Sequence, residues 1–263
     1  MIRAAHPGSK ISLVRVETAG DRDPVGAIAQ LTEIGAFVRA VQAAVREHRA
    51  DLAVHSLKDL PVIGPDDLVL AAFPERASPL DVMVGSPLNE LPAGSVVGTG
   101  SPRRTAQLAG LRPDLRTAEL RGNIETRLRK VLDGDVDAAV LAEAGLARLG
   151  RTDAIQQRLA ASSMVPAPGQ GALAVEARSG SAAAELAATI DDPEIRPLLL
   201  VERSLLAETG AGCRSSLGAI ATDELGQIRL EAFVADDRGA RHIVVHGASP
   251  DEVVSEGRKE LGL

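Results

Sequence analysis

Apolar and polar residues follow two rhythms along this chain. Alternation with a period of two predicts strands at Ile11–Val16 and Leu52–His55. Short apolar runs predict buried strands at Leu68–Ala72, Asp81–Val84, Val96–Thr99, Leu115–Leu120, Asp137–Ala142 and Ala172–Glu176. A helical period of about 100° per residue puts Phe37, Val41, Ala44 and Val45 on one face of a helix over Phe37–His48. The same period gathers Ile124, Leu128, Val131 and Leu132 on one face of a helix over Ile124–Leu132, with Arg127 at its border and Arg129 and Lys130 pointing away. A helix starts at Pro102, with Ser101 placed to cap it. Gly145–Leu149 reads as a helical turn, Ala182–Ile190 as a helix, and Ile195–Glu208 as a longer one ending at Gly210. Leu217–Ala221, Ile228–Ala235 and His242–His246 read as strands, and Pro250–Leu261 as a last helix. Strands alternating with helices predict α/β layers over the first 190 residues, and three strands followed by a helix predict a small α+β unit after Gly212. The segments FPERASP and SSMVPAPGQG read as domain boundaries, and Glu17–Gln30 as a polar loop.

Composition narrows the function. An aromatic content of 1% leaves little for base stacking, and a net charge of -7 opposes a phosphate backbone, so no nucleic-acid partner is expected. The single cysteine, Cys213, rules out an internal disulfide and fits a reducing compartment. MIRAAHPGSK has no apolar signal core, and no apolar run of about 18 residues occurs, so the expectation is a cytoplasmic protein without a membrane partner.

Against this acidic background, Gly98–Lys130 holds eight cations and three acids. Such an excess suits an anion pocket, because a guanidinium grips a carboxylate with two parallel hydrogen bonds. A solvated helix face produces a similar run. Arg103 and Arg104 fall in a helix's first turn, where free N–H groups already favour an anion. Lys58-Asp59, Gly100–Arg104, Arg121 and the segment ahead of Arg148 all follow the carboxyl ends of expected strands, where open α/β sheets bind ligands. Two such sheets facing each other would gather these groups around one cleft. Lys58-Asp59 is also a common turn pair, and His55 reads as a satisfied core histidine outside the site.

Five blocks then resemble the porphobilinogen deaminase (hydroxymethylbilane synthase) family in its own order: AVHSLKDLP (Ala53–Pro61), GTGSPRR (Gly98–Arg104), LRGNIETRL (Leu120–Leu128), PAPGQGALAVE (Pro166–Glu176) and GAGCRSSLGA (Gly210–Ala219). The resemblance implies two α/β domains like periplasmic binding proteins and a small C-terminal α+β domain carrying a cysteine on a loop. On this chain the divisions become 1–73 with 171–191, 77–165, and 194–263. It implies a transferase that joins four porphobilinogen units head to tail with release of ammonia, in porphyrin and heme synthesis, acting as a monomer. It also implies a dipyrromethane cofactor built from two porphobilinogen units and held by a thioether to Cys213. Asp59 matches the catalytic aspartate, holding the pyrrole N–H and stabilising a cationic azafulvene. Lys58, Ser101, Arg103, Arg104, Arg121 and Gln170 match cofactor-binding positions, and Arg127 and Arg148 substrate-binding ones. The residue chemistry agrees: an oligopyrrole accumulates carboxylates, and a cysteine between Gly212 and Arg214 has loop exposure and a cation favouring thiolate. No metal is expected.

The chain departs from the family pattern in three places. It starts at what would be the second strand, so a strand–helix unit with a Gly-Thr-Arg-x-Ser motif and its anion-binding arginine is expected to be absent. It stops at Leu263, earlier than relatives, and Ile34 stands where many carry lysine. These departures motivate an alternative, a non-catalytic polycarboxylate-binding module of the same fold; a pure binder would need neither Asp59 nor Cys213. A nucleotide site at Gly98–Arg104 ranks last, since the phosphate-loop pattern ending in Gly-Lys-Ser/Thr is missing.

Overall fold

A computed structural model describes residues 1–16, 36–210 and 216–263, with the side chains at 36 and 37 left out. The chain divides into two compact units, Met1–Arg76 with Ala172–Arg196, and Ala77–Gly171 with Pro197–Leu263. Both are mixed α/β.

The first unit begins with a single helical turn, α1 (Ile2–Ala5), and contains helix α2 (Ala36–Arg46) and strands β1 (Leu52–Ser56) and β2 (Leu68–Ala72). It is completed by β8 (Leu173–Arg178) and α6 (Ala182–Ala188). The sheet order is β1-β8-β2, with β8 antiparallel to both neighbours. Alternation along β1 separates its two faces. Ala53 packs with Val45 of α2 and Leu68, while Leu52 joins Val175, Ala72 and Ala187 of α6 on the other side.

The second unit holds β3 (Asp81–Val84), β4 (Val96–Gly98), α3 (Pro102–Leu111), β5 (Arg116–Ala118), α4 (Ile124–Leu132), β6 (Ala138–Ala142), α5 (Glu143–Arg148) and β7 (Ile155–Leu159). Their sheet order is β5-β4-β6-β3-β7, with β4 parallel to β5 and β6, and β3 antiparallel to β6 and β7. Met83, Val97, Val140 and Leu108 of α3 form the core on one face; Val82, Val84, Leu141 and Leu128 of α4 form it on the other.

Most of α7 (Ile195–Glu208) follows in this unit, then a meander of β9 (Gly218–Glu224), β10 (Gln227–Asp236) and β11 (Gly239–Gly247), and α8 (Pro250–Leu261). The meander is antiparallel in the order β11-β10-β9. Gly257 of α8 lets the helices close on it: a Cβ there would stand 3.0 Å from Leu230 and 3.7 Å from Leu205 of α7. On the opposite face Ile220 and Phe233 pack against Val165 and Ala106.

Two expectations are corrected, and one strand comes unannounced. Ile11–Val16 forms no regular element, and Leu13 is 98% exposed. Alternation encodes which face a residue would present, but a strand also needs a neighbour for its N–H and C=O groups. Leu132 is exposed although Ile124, Leu128 and Val131 pack as expected, because it lies in the last turn of α4, at the rim of that face. The sequence does not announce strand β7, because Gln-Gln-Arg interrupts its apolar residues; β3 supplies the pairing. The expected loop at Glu17–Gln30 lies outside the described residues, as does Ile34.

Gly171 adopts φ +86°, and a Cβ there would stand 2.4 Å from the Ala77 carbonyl oxygen and 2.8 Å from that of Ser78. Both the left-handed backbone and the contact with main chain forbid a side chain. Gly171→Ala is expected to lose about 2 kcal/mol or more of stability, read from the urea midpoint; an unchanged midpoint would refute the argument.

Candidate active site

The first turn of α3 is the centre of this site. Ser101 caps the helix by accepting from the Arg104 N–H at 3.5 Å, and Pro102 occupies its first position, as the sequence predicts. The cap turns Arg103 and Arg104 inward, where both are buried against Asp81, the first residue of β3. Asp81 and Met83 share the face of β3 that α3 covers, so the carboxylate lies under the helix start.

Arg103 donates from one terminal nitrogen to Asp81 Oδ2 at 2.8 Å and from the other to the Val165 carbonyl. Arg104 donates to Asp81 Oδ1 from Nε at 3.1 Å and from a terminal nitrogen at 2.6 Å; its remaining terminal nitrogen reaches the Val140 carbonyl at 2.9 Å. Gln170 adds a bond to Oδ1 at 2.8 Å and one to the Pro79 carbonyl at 2.7 Å. Complete burial opposes the charge on Asp81, but the two guanidinium charges and the hydrogen bonds from Arg104 and Gln170 outweigh it, holding the carboxyl well below the usual carboxylate range. Two cations share one carboxylate, so a net positive charge is buried at a helix N-terminus, and the Arg103 Nε–H has no partner among the described residues.

Above this turn, Thr99, Gly100, Ser101, Pro102, Thr117 and Glu119 line a cavity of about 370 Å³ at the carboxyl ends of β4 and β5. Gly100 suits a close approach: a Cβ would stand a tight 3.2 Å from the Leu120 carbonyl oxygen. Exposed Arg121 bonds Glu119 at 2.7 Å, and Arg127 donates to the Gly122 carbonyl at 2.8 Å from a half-buried position. Arg148, at the end of α5, donates to the Gly171 carbonyl at 2.7 Å. Arg112 and Arg116 serve the fold, bonding Leu88, Leu91 and Asp114, and Gly94, respectively.

Lys58 and Asp59 sit in the first unit, in the 3-10 turn Leu57–Asp59 that ends β1; Lys58 is half-buried and Asp59 exposed. The Leu57 N–H anchors the turn on the Ala172 carbonyl at 3.0 Å. Cys213 lies outside the described residues, between the end of α7 and the start of β9.

Sequence reasoning overlooked two contributors. Asp81 stands at the end of a buried apolar strand, and a charge in that position demands a partner; that demand was the available signal. Gln107 holds Val165 from both sides, accepting its N–H at 2.7 Å and donating to its carbonyl at 3.1 Å, and nothing local in the sequence announces it.

Residues 1–185 match the sequence model of a family described as porphobilinogen deaminase, dipyromethane cofactor binding domain. A porphobilinogen deaminase from Mycobacterium avium is 48% identical over 277 aligned positions, spanning 100% of this chain and 85% of that protein. One from Roseiflexus castenholzii is 45% identical over 89% of this chain and 78% of that protein. Among solved structures, a TRAP periplasmic solute binding protein from Pseudomonas putida F1 with bound D-glucuronate overlaps 65% of this chain and 66% of its own, at 10% identity and a TM-score of 0.38. The periplasmic VFT2 domain of Bordetella pertussis BvgS overlaps 58% of this chain and 64% of its own, at 17% identity and a TM-score of 0.34. With the family model matching more than half of its length and close relatives spanning nearly all of it, the chain belongs to the porphobilinogen deaminase family.

Proposed function

We propose that this chain is a hydroxymethylbilane synthase, condensing four porphobilinogen molecules head to tail with release of ammonia. The observation that carries the reading is the buried excess of positive charge at the start of α3, formed by Arg103 and Arg104 around one carboxylate beside a cavity. Porphobilinogen and its oligomers are polycarboxylates, and such a turn offers an anion the positive potential of a helix start and of two guanidinium groups.

The donor set also fits a dipyrromethane, whose acidic side chains require cations and whose attachment requires a thiol. Cys213 would hold it covalently, with Lys58, Ser101, Arg103, Arg104, Arg121 and Gln170 as its polar partners; bound, it supplies the primer to which substrate is added. Arg103 and Arg104, fixed by Asp81, act as a rigid base of positive potential, with the buried Arg103 Nε–H lacking a partner among the described residues. Arg121, Arg127 and Arg148 are more exposed and suit carboxylates that change place as the product lengthens. Asp59, acceptor-only when ionised, holds the substrate's pyrrole N–H and stabilises the positive charge that develops as ammonia leaves.

The same reading treats 194–263 as a third domain and the protein as a cytoplasmic monomer without nucleic-acid or membrane partners. No helix among the described residues is long and apolar enough to cross a membrane. The test is to incubate the purified chain with porphobilinogen, following ammonia release and the intact mass after denaturation. Ammonia release with a covalent addition of pyrrole units supports the enzyme. Binding with neither would establish a polycarboxylate-binding module instead.

A further inference from the structure

Two buried titratable groups in the first unit have no part in the chemistry above. His55 is the last residue of β1 to face α2, and Glu176 lies diagonally across on β8, where Ala53 pairs with Glu176 and His55 with Ala174. Their side chains are 6% and 4% exposed, and His55 Nε2 stands 3.2 Å from Glu176 Oε2. The two atoms lie within ion-pair distance without hydrogen-bond alignment, and neither has a hydrogen-bond partner among the described residues. The second carboxylate oxygen accepts from Gln42 of α2 at 3.0 Å. Other charges near this layer are engaged elsewhere or point outward: Arg178 bonds the Ala50 carbonyl at 3.1 Å, Arg46 bonds Asp67 at 2.6 Å, and Arg39 is exposed.

We propose that His55 and Glu176 share one proton between Nε2 and Oε2, and that this pair positions the Lys58–Asp59 turn. A bare imidazole nitrogen facing a carboxylate without solvent would set two lone pairs against each other, so one of the two atoms carries hydrogen. β1 is the edge strand of its sheet, bonded to β8 alone among the described strands, and Asp59 follows His55 by four residues. A polar contact at that end adds to the β1–β8 ladder and the Leu57–Ala172 bond in setting how the turn leaves the strand. His55 and Glu176 are positioning residues; the functional half of the proposal rests on Asp59 being catalytic.

The experiment uses the cofactor-loaded chain labelled with ¹⁵N-histidine, with His55→Gln assigning one of the five histidines. The expected spectrum at neutral pH shows His55 Nε2 either protonated or accepting a hydrogen bond, and an Nε2 that is neither would overturn the proposal. Glu176→Ala is expected to keep its cofactor mass and lower kcat by about 10- to 100-fold, as a shift of about 1 Å at a reacting centre does, with KM changed by less than about twofold. Glu176→Gln recovers most of kcat, because its amide oxygen still accepts from Nε2 once Gln42 turns over. A purely structural pair would lower the melting temperature and leave kcat per loaded molecule intact, which refutes positioning. If Glu176→Ala does not fold, His55→Gln replaces it with the same expectation. An active Asp59→Ala variant would remove the catalytic reading and leave the shared proton standing; inactive Asp59→Ala beside fully active Glu176→Ala would remove only the positioning role.

Discussion

Asp81→Asn is expected to melt at least roughly 10 °C below the parent protein, through a loss of about 3–5 kcal/mol from leaving two buried guanidinium groups without their counter-charge. The isosteric amide keeps the shape and one acceptor, so the change isolates charge from packing. Asp81 is fully buried and touches Arg103, Arg104 and Gln170 at once, which is why the cost exceeds that of a surface pair such as Arg46–Asp67. Its carboxyl is held below its ordinary range in the folded state, so its stabilisation is fully present above the unfolded value of about 3.9 and disappears as pH falls through the folded value. Parent and variant should therefore differ by a constant amount from pH 7 down to about 4.5 and converge in stronger acid. Melting curves by circular dichroism across that range check both statements. A variant within about 2 °C of the parent at pH 7 would show that the arginines find other counter-charges, and the account of α3 would fail.

Cys213→Ser and Asp59→Ala should separate attachment from turnover. The serine variant is expected to have the mass of the bare polypeptide and no measurable product, because a hydroxyl lacks the thiolate's nucleophilicity near neutral pH. The alanine variant should carry the same covalent addition as the parent while kcat falls by about 10²- to 10³-fold, the usual loss when one group aimed at developing charge is removed. Intact mass under denaturing conditions and steady-state ammonia release give the two readouts. A fully active Asp59→Ala protein would sink the assignment of Asp59, and a modified Cys213→Ser protein would sink that of Cys213. The thiol experiment also reaches a position that lies outside the described residues.

Much of this architecture can be read along the chain. The strands Leu68–Ala72 and Asp81–Val84 and the helices Ile124–Leu132, Ile195–Glu208 and Pro250–Leu261 have the bounds that periodicity and capping predict. The Ser101 cap, the anionic preference of the turn after it and the five blocks that carry the family are equally local. In each case residues within a turn or two of one another contain the whole physical reason. Ile11–Val16 and β7 went astray because a strand is half defined by its neighbour, which lies elsewhere in the sequence.

By itself, then, the sequence determined most of the elements, the faces they would bury, the family, and a set of residue types suited to a polycarboxylate. Tertiary structure alone decided where the charges go. Arg103 and Arg104 look alike and equally available in the sequence, yet both are committed to Asp81 about twenty residues upstream, while Arg121 stays at the surface with Glu119. His55 and Glu176, 121 positions apart, meet only because β1 and β8 are neighbours in one register. Periodicity reports whether a side chain turns inward, but the strength of a charge depends on burial and on the distance to its partners, and both are fixed only when separate segments pack.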